Sequence, residues 1–314
     1  MKFLKNNSYL PFIGIAIGLL LPFIVPDFYV IVAIRVLYLT ILAYSLSFIA
    51  GQGGMVSLGQ TVFFGISAYT LAILTVEHGI SFPYPIFFGL AGAFLFAVVI
   101  GPFVIRTTGV YFIMITLALG QMGWGLALQW SSLTHGDDGI IGIEPPQIFG
   151  ISFASDINFY YLLLIVFAGI VYLLYKIMNS KFGLALRAVK NNPDKLSALG
   201  YNVSLIRYIA FLISSIIAGI SGIFFVYFNG VINPASIGIN QAVWVLVIAI
   251  LGGINSLVGP LIGASVVTFL EIQVSQYTDR YMIIIGLVFV LTILFLPNGI
   301  FGYMKEKIDS FKEK

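Results

Sequence analysis

Long apolar runs separated by short polar segments dominate this chain. A helix needs roughly 20 apolar residues to cross about 30 Å of hydrocarbon. Eight runs are long enough, some with tilt, and they occupy residues 8–25, 28–50, 55–76, 84–105, 109–130, 157–175, 207–228 and 281–296. The pattern predicts an all-α membrane protein, a polytopic helical bundle of about eight to ten transmembrane segments.

A further apolar region, residues 241–272, is broken by Gly252, Gly253 and the polar residues after them. It fits one interrupted helix, a re-entrant pair or two short spans. Charge decides between them, because basic residues concentrate in cytoplasmic loops. With a cytoplasmic N-terminus and C-terminal tail, 13 of the 15 basic residues lie inside, and Arg35 and Arg280 are the exceptions. Both termini on one side require an even number of crossings, so region 241–272 goes in and comes back, which gives ten segments.

Composition supports a membrane location and excludes several kinds of chemistry. Of the 314 residues 60% are hydrophobic and 9% charged, with a mean hydropathy of +1.06, whereas soluble domains are about 25% charged. The chain has no cysteine, which excludes disulfides, thiolate metal sites and a thiol nucleophile. The net charge is only +3, and the basic residues are scattered over short loops, which argues against nucleic-acid binding. We expect one membrane domain, residues 1–314, whose first run is a retained anchor.

Candidate catalytic groups are scarce. The histidines are His78 and His135, both in loops, and no pair of carboxylates lies inside a span. Glu271 fits an interfacial residue at the outer end of a helix or, less simply, a pathway residue. Arg35, seven residues into its span, is expected to snorkel or to pair with a carboxylate. The sequence lacks a phosphate-binding P-loop, so any ATP must be handled by a partner. We expect no enzyme activity, no cofactor and no metal.

Two glycine-rich interruptions are candidates for a solute pathway. The first joins two apolar runs between Gly51 and Gln60 and fits either a tight helix-helix turn or a broken helix lining a polar route. The second follows Leu251, and its Gly259 and Gly263 are spaced for close helix packing. Paired interruptions are typical of transport paths. The candidate pathway residues are Gly51, Gln52, Gly54, Ser57, Gln60, Gly252, Gly253 and Asn255.

The cytoplasmic loop, residues 179–207, predicts two short helices. Residues 181–190 form one, Pro193 opens the next at its first turn, and Gly200 ends it. Apolar residues recur at spacings of three and four, so the segment either lies on the bilayer or docks into a soluble partner. In the docking interpretation Leu196, Ala198 and Leu199 make the contact. The candidate coupling residues are Arg187, Lys190, Pro193, Leu196, Ala198, Leu199 and Gly200.

Five motifs together resemble the membrane subunits of branched-chain amino acid ABC importers, specifically the second of their two permeases, with urea permeases as near relatives. They are GQGGMVSLGQTVFFGISAY from Gly51, RTTGVYF from Arg106, LTHGDDG from Leu133, the loop at 187–202 and the glycine-rich stretch at 251–264. The match covers about residues 28–302. Gln52 and Gln60 stand where the family usually has Tyr and His, and His135 where Gly is common, which leaves the solute open.

The resemblance implies a set of partners and a mechanism. The partners are a homologous permease, two cytoplasmic ATPase subunits and a periplasmic solute-binding protein. It favours ATPase docking for the loop at 179–207, and it implies that the periplasmic loop at 131–156 meets the binding protein through Asp137 and Asp138. The expected function is uptake of branched-chain amino acids by alternating access. Urea or another amide or amino acid is the alternative solute.

Two other classes of function compete with the permease. A membrane enzyme acting on lipid-linked substrates would need catalytic groups at an interface, and only the adjacent Asp137 and Asp138 are available. An ion-coupled carrier would need ionisable groups at mid-membrane, and none is convincing.

Overall fold

The computed structural model describes residues 10–148, 150–278, 280–296 and 298–312, most of them helical. The α-helices are α1 (Leu10–Ile24), α2 (Asp27–Ser47), α3 (Gln60–Ala72), α4 (Tyr84–Val104), α5 (Val110–Gln129), α6 (Ser131–Thr134), α7 (Asp156–Asn179), α8 (Lys181–Asn191), α9 (Pro193–Ala198), α10 (Val203–Asn229), α11 (Ile239–Gly252), α12 (Gly259–Ser275), α13 (Tyr281–Phe295) and α14 (Gly299–Lys312). A π-helical turn extends α2 over Phe48–Gln52, and another extends α3 over Ile73–Glu77.

Strands are few and short in the described residues. The pairs are β1 (Ile140–Ile141) with β4 (Val231–Ile232) and β2 (Gln147–Ile148) with β3 (Ile151–Ser152), both antiparallel. The first pair ties the loop after α6 to the loop between α10 and α11. These pairs therefore organise one end of a helical protein rather than form a sheet of their own.

Seven helical stretches in the described residues are long and apolar enough to cross a membrane. They comprise α2 to α5, α7 and α10, together with α13 running into α14. The helices α11 and α12 are apolar but shorter, and α1 has 15 residues. A helix satisfies its own backbone hydrogen bonds, which is why apolar segments in lipid adopt this structure. The prediction of an all-α, polytopic membrane protein is confirmed.

The helices α2, α3 and α10 form the centre of the bundle. Small residues bring their backbones together, and a Cβ at Gly222 of α10 would lie 2.1 Å from the carbonyl oxygen of Phe64 in α3. Serine hydroxyls then donate across the contacts: Ser221 to the carbonyl of Tyr38 at 2.7 Å, and Ser67 to that of Gly219 at 2.7 Å. Close packing and interhelical hydrogen bonds take the place that hydrophobic burial has in water.

Helices α11 and α12 form an antiparallel hairpin. A Cβ at Gly252 would lie 1.9 Å from the Gly259 carbonyl oxygen, and one at Gly263 would lie 2.0 Å from that of Ile248. The partners run in opposite order along the two helices, so the chain turns back over residues 253–258. Of the three arrangements considered for region 241–272, this excludes a single interrupted helix. A re-entrant pair and two short spans both have the observed hairpin shape.

The three helices that follow α7 directly, α8, α9 and α10, have well-defined starts. The side chain of the residue before each helix accepts a hydrogen bond from its first turn: Ser180 from Gly183 N–H, Asn192 from Lys195 N–H and Asn202 from Leu205 N–H. Such caps satisfy amides that have no partner inside the helix. Pro193 stands at the first turn of α9, and Gly200 follows the helix with φ 85°. The two short helices, their proline start and their glycine stop were all predicted from sequence.

Candidate functional site

The segment between α2 and α3 is a break in the helical backbone. It leaves the π-helical turn at Gln52, passes through Gly54 with φ 70°, and re-enters a helix at Gln60. Gln52, Ser57 and Gln60 are all buried, with exposed fractions of 6%, 0% and 2%. Neither the side-chain amide nitrogen nor the oxygen of Gln60 has a hydrogen-bond partner among the described residues. The segment is therefore a packed junction with polar groups inside, and a polar route along it stays a prediction.

Two hydrogen bonds from backbone amides to nearby hydroxyl oxygens hold this break in place. The Leu58 N–H donates to Thr116 Oγ1 in α5 at 3.1 Å, and the Gly59 N–H donates to Ser57 Oγ at 3.3 Å. A Cβ at Gly59 would lie 2.8 Å from the Thr116 carbonyl oxygen. Sequence reasoning missed Thr116, because nothing in its own helix distinguishes it from other threonines.

The turn of the α11–α12 hairpin meets the end of α2. A Cβ at Gly51 would lie 2.3 Å from the Ile254 carbonyl oxygen, so the two backbones are in contact. The Tyr44 hydroxyl donates to the Leu257 carbonyl across the same contact. Gly253, with φ 113°, lies against the start of α14, where a Cβ would be 2.9 Å from the Asn298 carbonyl oxygen. The two glycine-rich interruptions predicted as pathway elements therefore lie side by side.

Helix α8 attaches to this meeting point through two cations. Lys190 Nζ donates to the Gly51 carbonyl at 2.8 Å and to Asn255 Oδ1 at 3.1 Å. Arg187 Nη1 donates to Gln52 Oε1 at 3.1 Å and to the Met178 carbonyl at 2.8 Å. Partial burial lowers the pKa of Lys190, because desolvation disfavours its charged form. We call these contacts the inner clasp: Gly51, Gln52, Arg187, Lys190 and Asn255.

Helix α9 presents a small apolar surface beside the clasp. Leu199 is 75% exposed and Ala198 is also exposed, whereas Leu196 is 7% exposed and packs within the chain. Leu196 is thus unavailable as a partner contact in this conformation, which narrows the contact predicted from sequence to Ala198 and Leu199. On α8, Gly183, Leu186 and Val189 face inward.

The opposite end of the bundle carries the loop with Asp137 and Asp138. Both aspartates are exposed and lie in a short 3-10 helix, Gly136–Asp138. The Thr134 hydroxyl fixes the start of the loop by donating to the Ala127 carbonyl at 2.7 Å. After the aspartates, β1 pairs with β4, so the loop that carries the two exposed carboxylates is held in place by strand pairing.

An ion pair links α2 and α12. Arg35 Nη2 lies 2.7 and 2.9 Å from the two carboxylate oxygens of Glu271, and the side chains are 36% and 20% exposed. The expectation that Arg35 pairs with a carboxylate is confirmed, and the partner is Glu271. The two opposite charges therefore neutralise one another across the contact between α2 and α12.

Comparison with known proteins decides the family. The family described as "Branched-chain amino acid transport system / permease component" matches residues 28–293. The chain belongs to this family. It is 26% identical to the high-affinity branched-chain amino acid transport system permease proteins LivM of Salmonella typhimurium and Escherichia coli, over 91% of this chain and 73% of each relative. LivH of Escherichia coli is 30% identical over 44% of this chain and 46% of its own length. No solved structure matched.

Two positions at which the sequence resemblance led us to expect other residues, His135 and Gln52, have a clear structural setting. His135, where the resemblance led us to expect Gly, has φ 61°, a left-handed conformation that glycine adopts without strain. Its Nε2 lies 3.1 Å from Glu77 Oε1 at the end of α3, so the histidine gains a contact that glycine lacks. Gln52 belongs to the inner clasp, where its side-chain oxygen receives Arg187.

Proposed function

We propose that this chain is the membrane-spanning permease subunit of an ATP-driven importer that carries branched-chain amino acids into the cytoplasm by alternating access. The family match and the resemblance to LivM over 91% of the chain support this assignment. The proposed partners are a homologous permease, two cytoplasmic ATPase subunits and a periplasmic solute-binding protein. Resemblance to both LivM and LivH supports the pairing of two related permeases.

The proposed location is the bacterial inner membrane, with both termini in the cytoplasm. The excess of basic residues near the ends and in the loop at 179–207 supports that orientation. The acidic loop with Asp137 and Asp138 then faces the periplasm, where it is proposed to receive the binding protein.

The observation that carries the proposal is the arrangement of α8 and α9. The exposed Ala198 and Leu199 offer an apolar contact for a soluble ATPase. The neighbouring α8 holds the end of α2 through Lys190 and Arg187, and it holds the turn of the α11–α12 hairpin through Lys190. A movement received at α9 therefore has a short covalent and hydrogen-bonded route into the membrane domain.

The test is Ala198→Glu in the complete transporter. If α9 docks in a groove of the ATPase, the new carboxylate would be buried there without a counter-ion. The cost of about 3 kcal/mol or more corresponds to a roughly hundredfold loss of affinity for the ATPase. We expect the variant to insert and fold normally and to lose copurification with the ATPase or transport-linked ATP hydrolysis.

The matched control is Asn191→Glu, a charge added at an exposed polar position at the end of α8. It should retain near-normal activity. If Ala198→Glu binds its ATPase at normal stoichiometry and transports normally, α9 is not the docking element.

A further inference from the structure

The inner clasp joins three helix ends that are far apart in sequence. Through Lys190, α8 reaches the last turn of α2 at Gly51 and the hairpin turn at Asn255. Through Arg187, it also reaches the last turn of α7 at Met178. One short helix thus holds the ends of α2, α7 and the α11–α12 hairpin in a single arrangement.

The atoms that the clasp engages suit a reversible contact. The carbonyls of Gly51 and Met178 belong to last helical turns, where carbonyl groups have no following amide to bind. Cations near a helix C-terminus also interact favourably with its dipole. When α8 moves away, these carbonyls can be hydrated from the cytoplasm, so the contact can open without breaking a helix.

The clasp covers buried polar groups. Ser57 is fully buried behind the turn at Gly54, and a Cβ at Gly54 would lie 2.9 Å from Lys190 Cγ, so the lysine stem lies directly over this turn. Between Gln52, Ser47 and Asn255 the structure leaves a void of about 10 Å³, no larger than one water molecule. Ser47 Oγ has no partner among the described side chains and backbone groups. Polar groups that a solute could use are therefore present and closed off.

We propose that the inner clasp is the cytoplasmic gate of the transport path. Lys190 keeps the end of α2 and the turn of the α11–α12 hairpin together, and Arg187 ties the same end of α2 to the end of α7. Displacement of α8 separates these ends and exposes the segment at 54–60. The inference rests on the proposed function in one respect, since α9 is taken as the element that moves α8. Lys190 and Arg187 are positioning residues, because they act on the helix ends and not on the solute.

The test uses the natural absence of cysteine. A single cysteine at Ser57 reports access to the segment behind the clasp, and a membrane-impermeant maleimide is applied to the cytoplasmic face of inverted vesicles carrying the whole transporter. Lys190→Met should raise the initial labelling rate at least tenfold, and Lys190→Arg, which keeps a cation, should raise it much less. Lys181→Met is the control, because Lys181 is an exposed cation on the same helix, and it should leave the rate unchanged.

The outcomes separate a gate from a structural brace. A cysteine at Ser67, buried between α3 and α10, reports loss of the fold. If Lys190→Met exposes positions 57 and 67 alike, the clasp merely stabilises the bundle and the proposal is overturned. A rate at position 57 within twofold of the parent, or a rise seen only from the periplasmic face, also overturns it. Labelling needs neither solute nor ATP hydrolysis, so its result is independent of the Ala198→Glu test.

Discussion

The contact between α11 and α12 leaves no room for a methyl group at Gly252. A Cβ there would lie 1.9 Å from the carbonyl oxygen of Gly259, 2.5 Å from its carbonyl carbon and 2.9 Å from the amide nitrogen of Gly263. All three are backbone atoms, so no side-chain rotation relieves the clash. Gly252→Ala must therefore push the two helices apart.

The displacement sets the expected cost. Ordinary contact begins at 3.4 Å, so the helices would have to separate by about 1.5 Å. Overpacking of well-packed cores typically costs about 1–3 kcal/mol, and a rigid backbone obstacle places this variant near 3 kcal/mol. A loss of that size lowers the melting temperature of a domain by roughly 5–10 °C.

The assay is thermal unfolding of the purified transporter in detergent, followed by loss of the monodisperse peak on size-exclusion chromatography. Gly286→Ala in α13 is the matched control, because a Cβ there meets no atom within 4 Å. We expect Gly252→Ala to unfold well below the parent protein and Gly286→Ala to unfold within about 1 °C of it. Equal melting temperatures for the two variants would refute the close packing of the hairpin.

Two further predictions concern charged groups. Arg35→Met should destabilise the protein by about 1–2 kcal/mol because it leaves the partly buried Glu271 without its cation. Adding Glu271→Gln to this variant should recover part of the lost stability. If the two substitutions instead shift thermal unfolding additively, the two residues do not interact. Neutralising Asp137 and Asp138 together to asparagine should slow binding-protein association several-fold, most strongly at low salt. The rate of ATP hydrolysis stimulated by the binding protein measures this effect, with Glu144→Gln as the control in the same loop. If the double variant and the parent protein hydrolyse ATP at equal rates at every salt concentration, the binding protein does not dock on Asp137 and Asp138.

Much of the fold could be predicted from sequence because its signals are local. Apolar run length gave the helices, and the positions of basic residues required region 241–272 to turn back, as the hairpin does. Pro193 and Gly200 marked the ends of α9, since proline fits a first helical turn and glycine adopts a positive φ. Each of these inferences needs only a residue and its near neighbours.

The candidate site was harder to predict because its contacts are non-local. Lys190 and Gly51 are 139 residues apart, and Arg35 and Glu271 are 236 apart. The motifs that contain Gly51 and Lys190 were recognised separately, but no pattern in either showed that they touch. Leu196 illustrates the same limit, because helical spacing identified an apolar face without showing that it turns toward the chain itself.

The caps of α8, α9 and α10 determine how this end of the protein can move. Because Ser180, Asn192 and Asn202 bind the first turns of their helices, fraying each helix from its start would cost a hydrogen bond. The joints between the helices are only one to four residues long and include Gly200. A force applied at α9 would thus be transmitted by helices that move as rigid bodies and rotate about these short connections. The displacement at the inner clasp would then depend on the length of each helix and on the angle of rotation at each connection. Substituting a residue in a connection should change that displacement without changing the helices.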